Sequence, residues 1–281
     1  EIKPENHFEP RDSHSVAVFD DKLWLVGGLN ASENIDKNGA TEYWNSVYFD
    51  DMWNTSDGLN WTKVIDKSLW GRRRSMAFET IAGRLVLFMG WNQDKQEYST
   101  DIWTSTNGTD WNLLVRYAPW TGRESQQTLV FDNKLWFLGG VNYTQRQSYN
   151  DVWNSSDGIN WNLVTHQAPW QSRWGHEVIS FKGKIFIFGG ISFDGKTFND
   201  VWSSVDGINW EQELKHAPWT SRQSLVSFVS EDKLFIVGGI SDGNKKIKDI
   251  WYTENGNDWV QVKNKAPWVN KEDFAGVVWK D

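Results

Sequence analysis

The chain has 281 residues, with 29 Lys and Arg against 37 Asp and Glu, no cysteine, 23 glycines, 6 prolines and 21 tryptophans. A formal charge of -8 leaves no cationic surplus for a general nucleic-acid binder, and no apolar run is long enough to span a membrane. Absence of cysteine removes disulfides, thiolate metal sites and a cysteine nucleophile, yet leaves the compartment open, because a chain of this length can bury a core without crosslinks.

From the amino end, a segment of strand character at 14–19 recurs at 76–81, 125–131, 175–181, 224–230 and 274–279. The second segment of each repeat runs into Gly27-Gly28, Met89-Gly90, Gly139-Gly140, Gly189-Gly190 and Gly238-Gly239, where flexible backbone ends a strand and opens a variable loop. Tryptophan then marks three columns: Trp53, Trp103, Trp153, Trp202 and Trp251; Trp61, Trp111, Trp161, Trp210 and Trp259; and Trp70, Trp120, Trp170, Trp219 and Trp268. Steps of 49 or 50 residues make this a tandem array of five units, approximately 11–70, 71–120, 121–170, 171–219 and 220–268, in one domain spanning 1–281. Within 171–219, the segments 177–181, 184–188, 199–204 and 209–214 read as four strands, the last pair joined by the tight-turn signal Asp206-Gly207. An all-β chain of four-stranded sheets repeated at this period reads as a β-propeller. Five blades are expected, with six blades or part of a larger ring as the alternative; the surplus strand at 274–279 is expected to serve in closure.

Arg173, His176, Phe181, Lys184, Gly189-Gly190, Asn199-Asp200-Val201-Trp202 and Trp210 together resemble the kelch repeat, which also occurs in the propeller domain of galactose oxidase. The resemblance covers nearly the whole chain and implies a fold more than a function, since kelch propellers include scaffolds, adaptors, lectin-like binders and enzymes. The hairpin Ser155-Ser156-Asp157-Gly158-Ile159-Asn160-Trp161 is similar to the Asp-box of sialidases, one residue shorter between Asp and Trp, and reads as a turn device.

Kelch geometry implies that the loops after the Gly pairs and the junctions between repeats share one face. These loops vary, and the longest, 29–46, carries Glu42, Tyr43 and Trp44. The junctions carry a cation column, Arg11, Arg73, Arg123, Arg173, Arg222 and Lys271. Such a column suits an acidic ligand, or it holds the repeats together through carbonyls and carboxylates. Arg72 and Arg74 break its symmetry. Fifteen tryptophans are columnar and Trp24, Trp136 and Trp279 fit core columns, which leaves Trp44, Trp91 and Trp174 as candidate ligand contacts.

No close metal-ligand spacing is present among the histidines, and the galactose-oxidase copper site would need a cysteine, so neither metal nor cofactor is expected. A non-enzymatic propeller is expected, binding a glycan or protein partner that can carry acidic groups, with Arg73, Arg123, Arg173, Arg222, Trp44, Trp91 and Trp174 as its contacts. The alternatives are a kelch-type enzyme on an acidic sugar, resembling a sialic acid mutarotase and using Glu124, Glu177 and His176 with Arg123 and Arg173, or a structural module of a surface assembly. Six N-x-S/T sequons, at Asn30, Asn54, Asn60, Asn107, Asn142 and Asn154, lead to an expected extracellular or cell-surface location, or else a periplasmic one.

Overall fold

The computed structural model describes residues 7–30 and 46–263, and in them the chain is all-β. Trp44, Trp268, Lys271, Trp279 and the strand expected at 274–279 lie outside the described residues. Among those described there are five four-stranded sheets, one three-stranded sheet and three two-stranded sheets, every pairing antiparallel. No helix in this region is long and apolar enough to cross a membrane. The chain divides into two compact units, Glu1–Glu124 and Ser125–Asp281.

The first unit holds two of the four-stranded sheets. One consists of Ser15–Phe19, Lys22–Val26, Met52–Thr55 and Thr62–Ile65, and the next of Ala77–Ile81, Arg84–Phe88, Ile102–Ser105 and Asn112–Val115. In each, every strand pairs with the one before it. A common core closes between the two sheets, built from Ala17, Trp24, Val26 and Met52 of one with Phe78, Leu85 and Leu87 of the other, together with Trp70 and Trp111.

The second unit holds three sheets of the same order: Gln127–Phe131, Lys134–Leu138, Val152–Ser155 and Asn162–Thr165; Trp174–Phe181, Lys184–Ile191, Val201–Ser204 and Glu211–Leu214; Val226–Ser230, Lys233–Val237, Ile250–Thr253 and Trp259–Gln261. Its middle sheet shows why the second strands are uninterruptedly apolar. Ile185 and Ile187 join the core shared with Leu129, Trp136 and Leu138, whereas Phe186 and Phe188 join the one shared with Leu234, Ile236 and Trp259. Alternation along the strand therefore divides its side chains between two cores.

Columnar tryptophans occupy these seams. Trp70 meets Trp111 edge-on at 4.8 Å, Trp170 meets Trp210 at 5.9 Å and Trp219 meets Trp259 at 6.0 Å, the offset geometry that indole quadrupoles favour. The first-column indoles instead donate Nε1 to the Asp two residues before them, at 2.7 Å for Trp53 to Asp51 and 2.8 Å for Trp202 to Asp200.

Two features go beyond what the repeat pattern predicts. The first strands begin later than expected at 127 and 226, because Ser125 and Ser224 have φ of 54° and 51° and turn the chain before pairing starts. The segments after the Gly pairs are also more ordered than plain loops. Leu29–Asn30 pairs with Val47–Tyr48, Trp91–Asn92 with Glu97–Tyr98, Val141–Asn142 with Gln147–Ser148 and Ile240–Ser241 with Lys245–Lys246, while the fourth repeat has a single Ile191–Thr197 bridge.

At the opposite end of each sheet the turns are nearly identical. Asp157 Oδ1 accepts from the N–H groups of Ile159 and Asn160 at 2.8 Å each, and Asn160 Nδ2 donates back to Asp157 Oδ2 at 2.7 Å. In the turns at 107 and 255 the residue types exchange places, with Asn107 Nδ2 donating to Asp110 and Asn255 Nδ2 to Asp258, and the bonding pattern survives. Gly207 in this turn has φ of 71°, and a Cβ there would lie 2.3 Å from the Trp136 ring.

Candidate functional site

The arginine column is buried. Arg73, Arg173 and Arg222 are 0% exposed and Arg123 is 1% exposed. Arg173 donates through Nη1 and Nη2 to Asp200 at 2.7 and 2.8 Å, through Nη1 to the Gly189 carbonyl, and through Nε to the Gln171 carbonyl. Arg222 does the same with Asp249, Gly238 and Thr220, and Arg73 forms the fork to Asp101. The main chain of each arginine belongs to the sheet before. Arg173 donates its N–H to the Tyr149 carbonyl and accepts from Gly140 N, while Arg222 bonds in the same way to Phe198 and Gly190. These arginines are staples, with backbone in one sheet and guanidinium in the next. Burial pushes the Asp200 and Asp101 carboxyls up, but the arginine partners and the Trp202 and Trp103 indoles outweigh it and hold both below the usual carboxylate range. A guanidinium enclosed in this way presents no donor to a dissolved ligand, and the joint between repeats accounts for one arginine per repeat.

The extra cations of the second junction are also paired. Arg72 meets Asp94 at 2.6 Å on the surface, and Arg74 forms a fork to Glu124 at 2.9 and 3.0 Å. Tyr98 Oη lies 3.5 Å from the same carboxylate.

Of the three residues expected to carry acid–base chemistry, Glu124 belongs to the first unit and His176 and Glu177 to the second, each with surroundings of its own. Glu124 is committed to Arg74. Glu177 accepts from Ser227 N at 3.1 Å and Oγ at 2.6 Å, and burial pushes its carboxyl up to about 7 against those two bonds. His176 is fully buried, with the Leu138 main chain as its hydrogen-bonding neighbour. Burial first, then the Arg173 charge, pushes its pKa down to about 3, which keeps it neutral. Among the described residues no group of three or more His, Asp and Glu side chains is placed to hold a metal ion.

The two described tryptophans outside the columns stand at the loop end. Trp91 meets Tyr98 edge-on at 5.0 Å and donates Nε1 to Gln93. Trp174 starts a strand and meets Tyr143 edge-on at 5.6 Å. Tyr143 in turn lies 6.3 Å from Phe193, over which the Arg146 guanidinium sits at 5.5 Å. Tyr143 is 43% exposed, so this cluster offers solvent an aromatic surface carried on the ladder after Gly140 and the single Ile191–Thr197 bridge after Gly190. Of its members, only Trp174 is expected from the sequence. A signal for the others was present, since Tyr143 and Phe193 each stand three residues after the second glycine of their pair.

No protein-family model matches the chain, and no curated protein sequence matches it.

Proposed function

We propose that this chain is a kelch-like propeller of five blades that binds a glycan through its loop end without catalysing a reaction, and that it works outside the cell or at its surface. The observation that carries this reading is the partly exposed cluster of Trp174, Tyr143 and Phe193 with Arg146 beside it. Flat apolar rings next to hydrogen-bond donors are what a pyranose needs, since its C–H face stacks while its hydroxyls seek polar partners. Repeated four-stranded meanders, joined by buried arginine staples, support the propeller reading. The arginine column belongs on this reading to the scaffold, and ligand contact falls to the aromatic cluster. Prior pairing of Glu124 with Arg74 and of Glu177 with Ser227, and the burial of His176, favour binding over acid–base catalysis.

A glycan array probed with wild type, Trp174→Ala and Tyr143→Ala tests the reading. Loss of a central aromatic contact should weaken binding by about 2 kcal/mol, a factor of about 30. Absence of any binding by wild type, or equal binding by both variants, would overturn it.

A further inference from the structure

We infer that the groove on the far side of the Phe193 hairpin seats an acidic substituent of the glycan, so that carboxylated or sulfated oligosaccharides are preferred over their neutral counterparts. The inference rests on the glycan-binding reading above and adds the ligand class. The groove has a volume of about 350 Å³ and lies within the second unit, where Ser192, Asp194, Lys196 and Thr197 face Gln212, Lys215 and His216 across it. That volume is at the lower end for ligand sites and suits one substituted sugar residue.

The charges in this groove are not equally free. Asp200 lines it, but its carboxylate is taken by the two-point contact with buried Arg173. Asp194 accepts a hydrogen bond from the Ser192 hydroxyl. Lys196 and Lys215 are exposed and line the same cleft, so once Asp200 is neutralised by Arg173 the lining sets two ammonium groups against the one carboxylate of Asp194. Asn199 Nδ2 donates to the carbonyls of Ala217 and Trp219 at 3.0 and 3.1 Å, which turns its Oδ1 toward His216 Nδ1, 3.3 Å away. His216 thereby donates through Nδ1 and keeps Nε2 for a ligand. The Gln171 and Gln212 amides add paired donors and acceptors of the kind that bind adjacent hydroxyls.

One hairpin joins the two surfaces. Phe193 stands between Ser192 and Asp194, so its ring meets Tyr143 while its neighbours line the groove. A sugar chain stacked on the aromatic cluster and running along this hairpin would pass from Phe193 to the groove that Ser192, Asp194 and Lys196 line.

The test uses oligosaccharides presented in matched neutral, carboxylated and sulfated forms, with wild type, Lys196→Gln, Lys215→Gln, the double variant and Trp174→Ala. Wild type is expected to bind at least one acidic form about ten-fold more tightly than its neutral match, and that preference should shrink as salt rises. The double lysine variant should lose the preference and keep neutral binding, while Trp174→Ala weakens every form. The carboxylated and sulfated arms identify the anion. Equal wild-type binding of neutral and acidic forms, or an unchanged preference in the double variant, overturns the groove assignment and leaves the glycan reading standing. If wild type binds no form, both fall.

Discussion

Replacement of Arg173 by Met separates a joint from a ligand contact. Met keeps much of the unbranched stem and removes the guanidinium, so packing changes little while four hydrogen bonds disappear. Asp200 is left with the Trp202 indole at 2.8 Å as its side-chain donor, and the carbonyls of Gly189 and Gln171 lose theirs. Two charge-assisted bonds at about 1.5–3 kcal/mol each, or the usual cost of orphaning one member of a buried pair, converge on about 4 kcal/mol. Urea unfolding followed by tryptophan fluorescence measures the loss in Arg173→Met, in Asp200→Leu and in the double variant. The double variant should be less destabilised than the two single losses added together, because it leaves no unpaired charge. A loss below about 1 kcal/mol in Arg173→Met, or strict additivity, would refute the joint and return the arginine to the list of ligand contacts.

Three further outcomes follow from the same geometry. Gly207→Ala places a Cβ 2.3 Å from the Trp136 ring on a backbone with φ of 71°, and thermal unfolding should show a loss of about 2–4 kcal/mol; a neutral result would mean that the seam is looser than drawn. Asp206→Asn should cost about 1 kcal/mol by setting two amides against each other, and adding Asn209→Asp should restore stability by recreating the arrangement at 255 and 258. Glu177, whose carboxyl rises from 4.5 to about 7 on folding, binds a proton more tightly in the folded state. Its contribution to stability is therefore present below pH 4.5 and lost as pH climbs toward 7, by up to about 3 kcal/mol, and Glu177→Gln should flatten that part of the stability profile.

The period of the tryptophans, the Gly pairs and the Asp-Gly or Asn-Gly turns made the all-β repeats legible, because each reports a local backbone need. The partner of Arg173 was harder to see. Asp200 lies 27 residues on, beyond a variable loop, and only the parallel columns of Arg and Asp-x-Trp hint at the pairing. The aromatic cluster was less legible still. Tyr143 and Phe193 sit at the same offset in different repeats, and their meeting depends on the ladder under one tip, the single bridge under the other and how neighbouring sheets lie side by side. Trp91 and Trp174, alike as leftovers in the sequence, differ in the fold: one indole N–H is satisfied by Gln93, whereas the other is buried without an acceptor beside an exposed tyrosine.

Each arginine staple also defines how the chain bears tension. Its main chain is bonded into one sheet and its guanidinium into the following one, so pulling two neighbours apart loads a buried ion pair and several backbone bonds together. Strands can fray from an outer edge one bond at a time, but a seam has to rupture as a block. Under force the mechanical unit is the junction, and extension should proceed in steps of a whole repeat rather than of a hairpin.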